Sequence, residues 1–417
     1  MYVADSRTST SAHGAVRPSA GRRRAALAPT VLALGTVSLV TDVSSEMVTA
    51  VLPLYLVTGL GLSPLGFGLL DGIYNGFSAL VRLVGGHFAD RGGGRHKWVA
   101  GLGYGISALC KPLLLVAHAL TPIGIVLAAD RTGKGLRTAP RDALISLSST
   151  PETRGRAFGV HRAMDTAGAL LGPLVAFWIL RATVDGYDAV FTVSFCVAVL
   201  GLLVLVLFVP GGRGGAVPAE RPTLRAALAL LRRRELRRIT VCALLLGLAT
   251  VSDSFVYLLL QRRLGVPDRW FALLPLGTAA AFLLLAVVFG RLADRVGRWA
   301  VFLGGHGALL VVYALLLTSW RGSGLPYLVL ALHGAFYAAT DGVLMAAASD
   351  SVPEALRSSG LAVVQTGQAL TRFACSLLFG AAWTVWGDRA ALAAAAVALA
   401  VCAASSLTLR PKGTVTA

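Results

Sequence analysis

Thirteen residues at 130–142, "DRTGKGLRTAPRD", place six charges between two apolar runs, "IGIVLAA" and "ALISL". Asp130, Lys134, Arg137 and Arg141 recur at spacings of four, three and four, so on a helix they share one face, with Arg131 beside it. A smaller set lies upstream. In "TDVSSEM", Asp42 and Glu46 stand four apart in an otherwise apolar stretch and stack on one helical face. Two carboxylates so close in a medium of low dielectric cannot both ionise cheaply, which suits a pair that takes up and releases a proton. A guanidinium such as Arg131 swinging close would favour release and so couple protonation to conformation. Asp42, Glu46 and Arg131 are therefore the candidate proton-coupling residues.

The elements that must hold these groups follow from composition. Hydrophobic residues make up 56% of the 417 positions and charged residues 14%, and the mean hydropathy is +0.72, which identifies an integral membrane protein rather than a soluble domain. Apolar stretches close to the roughly 20 residues that span a bilayer recur near 28–58, 65–88, 97–118, 121–145, 157–181, 187–210, 238–261, 268–293, 299–319, 324–350, 355–383 and 388–409, and predict twelve transmembrane helices. Many of the 47 glycines lie inside them, as expected where membrane helices pack closely. The ten-residue alternation of a membrane β-barrel is missing.

With the fourth span starting near Thr121, a rise of about 1.5 Å per residue puts Arg131 close to the bilayer midplane. A charge there costs about 2.5–3.5 kcal/mol even on the lenient insertion scale, so this face must look into water or protein. Pro140 is expected to end the helix, leaving Arg141 and Asp142 as surface charges.

The net charge of +18 would suggest nucleic acid in a soluble chain. Its placement explains it otherwise. With the N-terminus inside, 23 basic residues fall on the inner side, Arg22, Arg23, Arg24, Arg237 and Arg238 among them, against six on the outer side: Arg181, Arg262, Arg263, Arg269, Arg321 and Arg389. By the positive-inside rule both termini lie in the cytoplasm, in a bacterial-style inner (plasma) membrane, and no nucleic-acid partner is needed. The arginine cluster before the first apolar run resembles a signal peptide, but that run holds Asp42 and Glu46 without a cleavage site near them, so an uncleaved helix is expected. Cys110, Cys196, Cys242, Cys375 and Cys402 all fall in predicted spans without CxxC spacing, which indicates neither zinc nor a disulfide framework.

The polar segment 211–237 separates six spans from six. The expected organisation is a disordered cytoplasmic N-terminus (1–25), an N-terminal bundle (26–210), a cytoplasmic linker (211–237), a C-terminal bundle (238–409) and a cytoplasmic tail (410–417). The linker's "LRAALALLRRRELRR" has helical spacing and could lie along the membrane surface. The halves echo each other: "GHFADRGGGR" at 86–95 matches "GRLADRVGR" at 290–298, and "PETRGRAFG" at 151–159 matches "PEALRSSG" at 353–360. Their offsets, 204 and 202 positions, nearly coincide and imply a duplicated six-helix unit.

The pattern G-x-x-x-D-R-x-G-R resembles the signature loop of the major facilitator superfamily. It is complete at Gly290, Asp294, Arg295, Gly297 and Arg298, and is repeated with one loosened position at Gly86, Asp90 and Arg91. The resemblance implies an all-α membrane protein with twelve transmembrane helices in two pseudo-symmetric six-helix bundles, rocking about a central cavity, with these loops as latches on the inner side. "LAADRTGKGLRTA", with Leu127, Arg131, Gly135 and Ala139, is similar to the fourth-helix motif of the drug:proton antiporter group, in which the arginine assists proton transfer; Lys134 stands where that motif is usually neutral. Gly168, Gly172 and Pro173 resemble the G-x-x-x-G-P motif of exporters, in which small residues allow close packing and a bend.

His161, Arg162 and Asp165 precede that motif, and either basic residue could pair with Asp165 at spacings of four and three. In the second half Asp253, Asp341, Gln365, Gln368 and Arg372 fall within spans. These are fewer, so the polar machinery is expected to be lopsided toward the first half, with Phe255, Tyr257, Phe336 and Tyr337 supplying apolar wall or plain core. The candidate cavity set is then Asp130, Lys134, Arg137, His161, Arg162, Asp165, Asp253, Asp341, Gln365 and Arg372.

The reading that joins these features is a proton-coupled secondary transporter, monomeric and without cofactor, that exports a small molecule. Its rival is uptake of an anionic solute, which the basic groups from Arg131 to Arg162 would suit. A P-loop, a metal-ligand cluster and a catalytic trio are all missing from the sequence, so no enzyme is indicated; "TGKG" at 132–135 lacks both the upstream strand and the Ser or Thr.

Overall fold

The computed structural model describes residues 28–91, 96–184, 186–211, 229–320, 322–352 and 357–408, with side chains undescribed at 78–80, 82–91, 151–152 and 357–359. These residues are almost wholly helical. In chain order the helices are α1 Pro29–Leu54, α2 Pro64–Arg91, α3 His96–Val116, α4 Leu120–Leu147, α5 Pro151–Ala182, α6 Gly186–Phe208, α7 Arg234–Ala249, α8 Asp253–Leu264, the short α9 Asp268–Phe271, α10 Leu273–Val296, α11 Arg298–Leu317, α12 Leu325–Asp350 and α13 Arg357–Thr408. Nine stretches among the described residues are long and apolar enough to cross a membrane. α2 and α4, each 28 residues, have the length; polar groups at their centres, Asp71 and Asn75 in one and Asp130 to Arg137 in the other, lower their hydropathy.

Local chemistry sets the ends. Proline opens α1, α2 and α5 at the first turn, where its missing N–H is no loss. Thr150 caps α5 in a reciprocal pairing with Thr153, whose hydroxyl accepts the Thr150 N–H at 3.1 Å. Gly297 (φ 96°) turns α10 into α11, and Gly387 (φ 82°) breaks α13 into two helices. The break between α7 and α8 at Thr250–Ser252 leaves backbone groups unpaired in an apolar setting. Tyr313 serves two of them: its hydroxyl accepts the Val251 N–H at 2.7 Å and donates to the Ala249 carbonyl at 3.2 Å. That break turns Ser252, Asp253 and Ser254 toward the centre of the molecule.

α1 packs on α5 and α6, α4 on α2 and α3, α12 on α10 and α11, and α7 on α13. The halves meet chiefly where α2 lies along α13. This contact needs glycine. A Cβ on Gly68 would stand 2.4 Å from the Ser376 carbonyl oxygen, and one on Gly380 2.4 Å from the Pro64 carbonyl oxygen. α1–α2, α3–α4 and α5–α6 connect at the same end of the molecule, called here the hairpin end; the opposite end carries the α4–α5 and α10–α11 connections. Among the described residues, the hydrogen bonds and ring contacts joining the halves are Leu65–Thr384, Asp71–Ser376, Phe67–Phe255 and Phe177–Trp270. All lie between the hairpin end and the middle. Phe255 stacks further on Phe379 and Trp383, so aromatic rings fill this end.

Two expectations need correction here. α4 runs through Pro140 to Leu147, because the buried proline sits where neighbouring helices hold the chain and membrane helices tolerate the lost bond. Arg141 and Asp142 are therefore helical, and Arg141 belongs to the interior, with its side chain 15% exposed. The cysteines are free, with Cys110, Cys242 and Cys375 buried, Cys402 half-buried and Cys196 exposed.

Candidate functional site

The charged face of α4 meets α1 running antiparallel to it. Lys134 Nζ lies 4.0 Å from Glu46 Oε1, Arg137 Nη2 3.5 Å from Asp42 Oδ1, and Arg141 Nη1 3.3 Å from Ser38 Oγ and 3.7 Å from Asp165 Oδ1 on α5. Ser38 in turn donates to Asp165 Oδ1 at 2.6 Å. Residues 46, 42 and 38 thus face 134, 137 and 141 as rungs of a ladder, which two helices of equal pitch make possible. The Arg137 side chain is 4% exposed and stacks 4.6 Å over the Tyr104 ring. Buried cations need partners of this kind, because an unpaired one is strongly destabilising.

Arg131 stands apart from that ladder. Its guanidinium bonds Asp130 at 2.6 Å and lies 3.7 Å over the Tyr74 ring of α2. Asp130 also faces Lys111 of α3 at 3.6 Å. In this structure Arg131 sits one residue off the charged face and turns to α2, while Lys134 and Arg137 take Glu46 and Asp42. Asp130 is likewise enclosed by cations and is not among the residues lining the cavity between the halves.

Between the halves lies a cavity of about 360 Å³. The first half contributes Glu46, Thr49, Tyr74 and Asn75; the second contributes the 250–254 break, Tyr257, Thr278, Phe282, Tyr337, Asp341 and Arg372. Three of the four charged groups, Asp253, Asp341 and Arg372, come from the second half, so the expected lopsidedness toward the first is overturned at the cavity wall. The first half's charges are numerous but spent on one another. Arg372 Nη2 lies 3.9 Å from Asp341 Oδ1. Asp253 accepts a hydrogen bond from the Tyr337 hydroxyl and lies 3.5 Å from Nε2 of the fully buried His333. Glu46 is paired with Lys134 behind the wall and Asp341 with Arg372, so the wall is acidic by the charge of Asp253.

The other expected residues scatter. Arg162 is largely exposed and 3.8 Å from Asp165, and His161 is buried with neither ring nitrogen hydrogen-bonded. Gln365 contacts the Met345 sulfur at 3.6 Å rather than lining the cavity. Phe336 packs on His306 and His333, whereas Tyr257 and Tyr337 reach the cavity. Gly168 and Gly172 fit against the α1 backbone at Leu39 and Val43, a seam within one half, and α5 passes through Pro173. Gly290 has open space around it, and Asp294 and Arg295 are exposed. The neighbouring Arg298 pairs with Asp350 at the end of α12. The side chains of Gly86, Asp90 and Arg91 lie outside the described residues, as do linker residues 212–228.

Sequence reasoning missed Lys111, Asp71, Tyr74 and His333. Lys111 and Asp71 carried a signal, each being a charge alone inside an apolar span.

The family model described as Major Facilitator Superfamily matches residues 34–375 and, again, 276–416. The chain belongs to that superfamily. Its members are transporters rather than enzymes. An MFS-type transporter of Methanocaldococcus jannaschii is 30% identical over 372 residues, 86% of this chain and 89% of that one. The multidrug resistance protein MdtH of Cronobacter sakazakii is 30% identical over 125 residues, 30% of this chain and 31% of that one. Among solved structures, the nucleoside transporter NupG aligns with TM-score 0.78 at 13% identity, covering 91% of this chain and 98% of that one. A bacterial homologue of the lysosomal transporter Spinster, in an inward-facing and occupied conformation, aligns with TM-score 0.73 at 16% identity over 91% and 96%. These two likenesses concern the fold alone.

Proposed function

We propose that this chain is a proton-coupled exporter that moves small cationic or amine-bearing organic molecules by alternating access. The observation that carries the reading is the acidic cavity wall of Glu46, Asp253 and Asp341, with Glu46 joined directly to the charged ladder behind it. A proton and a cation compete for the same carboxylate, which is the requirement for exchange. The basic face of α4, which would have suited an anion, is neutralised by Asp42, Glu46, Asp130 and Asp165. The partial likeness to a multidrug resistance protein also favours export.

The same reading takes twelve spans in two bundles, 26–210 and 238–409, joined by a cytoplasmic linker, with both termini in the cytoplasm and the chain in the inner membrane. One chain supplies both cavity walls, so a monomer suffices. On that topology the hairpin end faces the exterior, and the structure is shut on that side.

The test is growth of a host lacking its own efflux pumps on toxic cations, neutral compounds and anions, with and without this chain. Protection confined to cations, and lost with Asp253→Asn or Asp341→Asn, supports the reading. Protection against anions alone contradicts it.

A further inference from the structure

Asp71, on the inter-half face of α2, is a carboxylate that the ladder does not use. It is 5% exposed and sits where the halves meet. Ser376 of α13 donates to its Oδ2 at 2.7 Å, and Asn75 Nδ2 donates to its Oδ1 at 3.2 Å. Ser252 and Ser254, at the break between α7 and α8, face it as well. The contrast is with Asp130, as deeply buried, which holds Lys111 and Arg131. Asp71 makes no ion pair among the described residues.

The titratable groups around it are Tyr74 one turn along α2, Asp253 on α8 and Cys375 on α13. None is a cation, and Asp253 would repel a second negative charge. Arg372, one turn before Ser376, is turned to Asp341. α1 and α4 present uncharged residues here, among them Thr49, Leu56 and Leu127. Ser252 Oγ, closed off from solvent and facing the carboxyl, offers an acceptor for a carboxylic O–H.

We propose that Asp71 is a second proton-binding site, which holds a proton while the halves are shut over it and releases it when they part. The proposal rests on the alternating-access reading. An ionised carboxylate removed from water without a counter-charge is costly, whereas the neutral acid in this setting keeps its Ser376 and Asn75 donors. Parting α2 from α13 breaks the Ser376 bond and admits water, and the only covalent change is loss of the O–H proton to that water. Reclosure then requires a proton from the exterior. The proton is released and regained on the same side, so the site adds none to those carried by α1 and instead ties closure of the gate to the exterior pH.

The experiment reads a distance rather than transport, so it fails separately from the functional assignment. Nitroxides are placed through Ser63→Cys and Trp386→Cys, two exposed positions flanking the α2–α13 contact, in the full chain in lipid nanodiscs with native cysteines replaced. Wild type should show a short distance at pH 5.5 and a growing long component by pH 8.5. Asp71→Asn, neutral at every pH and able to keep the Ser376 bond, should lose that long component. Ser376→Ala, which weakens the shut state and leaves the acid in place, should raise the long component at both pH values while keeping its pH response. A wild type without pH response, an Asp71→Asn that opens like wild type, or a Ser376→Ala indistinguishable from wild type overturns the proposal.

Discussion

Nζ of Lys134 lies 4.0 Å from Oε1 of Glu46, and Glu46 is the rung of the ladder whose carboxylate also lines the cavity. This single contact joins the charge network inside the first half to the space where a substrate would sit. Lys134 occupies a position that the resembling antiporter motif usually leaves neutral, so the contact is a feature of this chain.

Replacing Lys134 should therefore separate coupling from binding. In Lys134→Gln, proton-driven transport of a compound found by the growth panel should slow by about tenfold or more, equivalent to roughly 1.4 kcal/mol of lost coupling. Exchange of the same compound across vesicles without a pH gradient should stay near the wild-type rate. Equal losses in both assays would mean that Lys134 shapes the cavity instead.

Asp42 is expected to matter for stability as well as transport. Asp42→Asn removes the charge facing an Arg137 side chain that is 4% exposed, and an orphaned buried charge costs about 3 kcal/mol. Unfolding in detergent, followed by tryptophan fluorescence, should shift down by at least about 5 °C. Adding Arg137→Gln should recover most of that loss, and a double variant as unstable as the sum of two damaging singles would contradict the pairing.

The seam between the halves makes a steric prediction. Gly68→Val would push a side chain against the Ser376 backbone, whereas Gly307 on α11 has nothing within 4 Å of an added Cβ. Gly68→Val should abolish transport with the protein still inserted in the membrane, and Gly307→Val should leave it near wild type. Full activity in Gly68→Val would show that the halves need not close there.

Much of this arrangement was legible from spacing alone. The charged face of α4, the stacked pair Asp42 and Glu46, and the echoed loops follow from periodicity, which is local information. Which cation meets which carboxylate was not legible, because it depends on the register of α1 against α4, set by packing rather than by either sequence. Arg131 drew attention through its depth in the membrane, yet one residue of helical rotation turned it to Tyr74. The acidic cavity wall was hidden for a related reason: Asp253 reaches it because the chain breaks before α8, and no strong turn signal marks Thr250–Ser252. Asp71 and Lys111 were overlooked because each stands alone, without a periodic partner to mark a face.

The central claim is that the carboxylates of α1 carry the proton that drives transport. Its most direct test is pH-gradient-driven uptake of a cation from the growth panel into proteoliposomes, comparing wild type with Asp42→Asn and Glu46→Gln. The account predicts gradient-driven accumulation in wild type and none in Glu46→Gln, with Asp42→Asn severely slowed. If both variants accumulate the compound at the wild-type rate, the proton is carried elsewhere and the account is wrong.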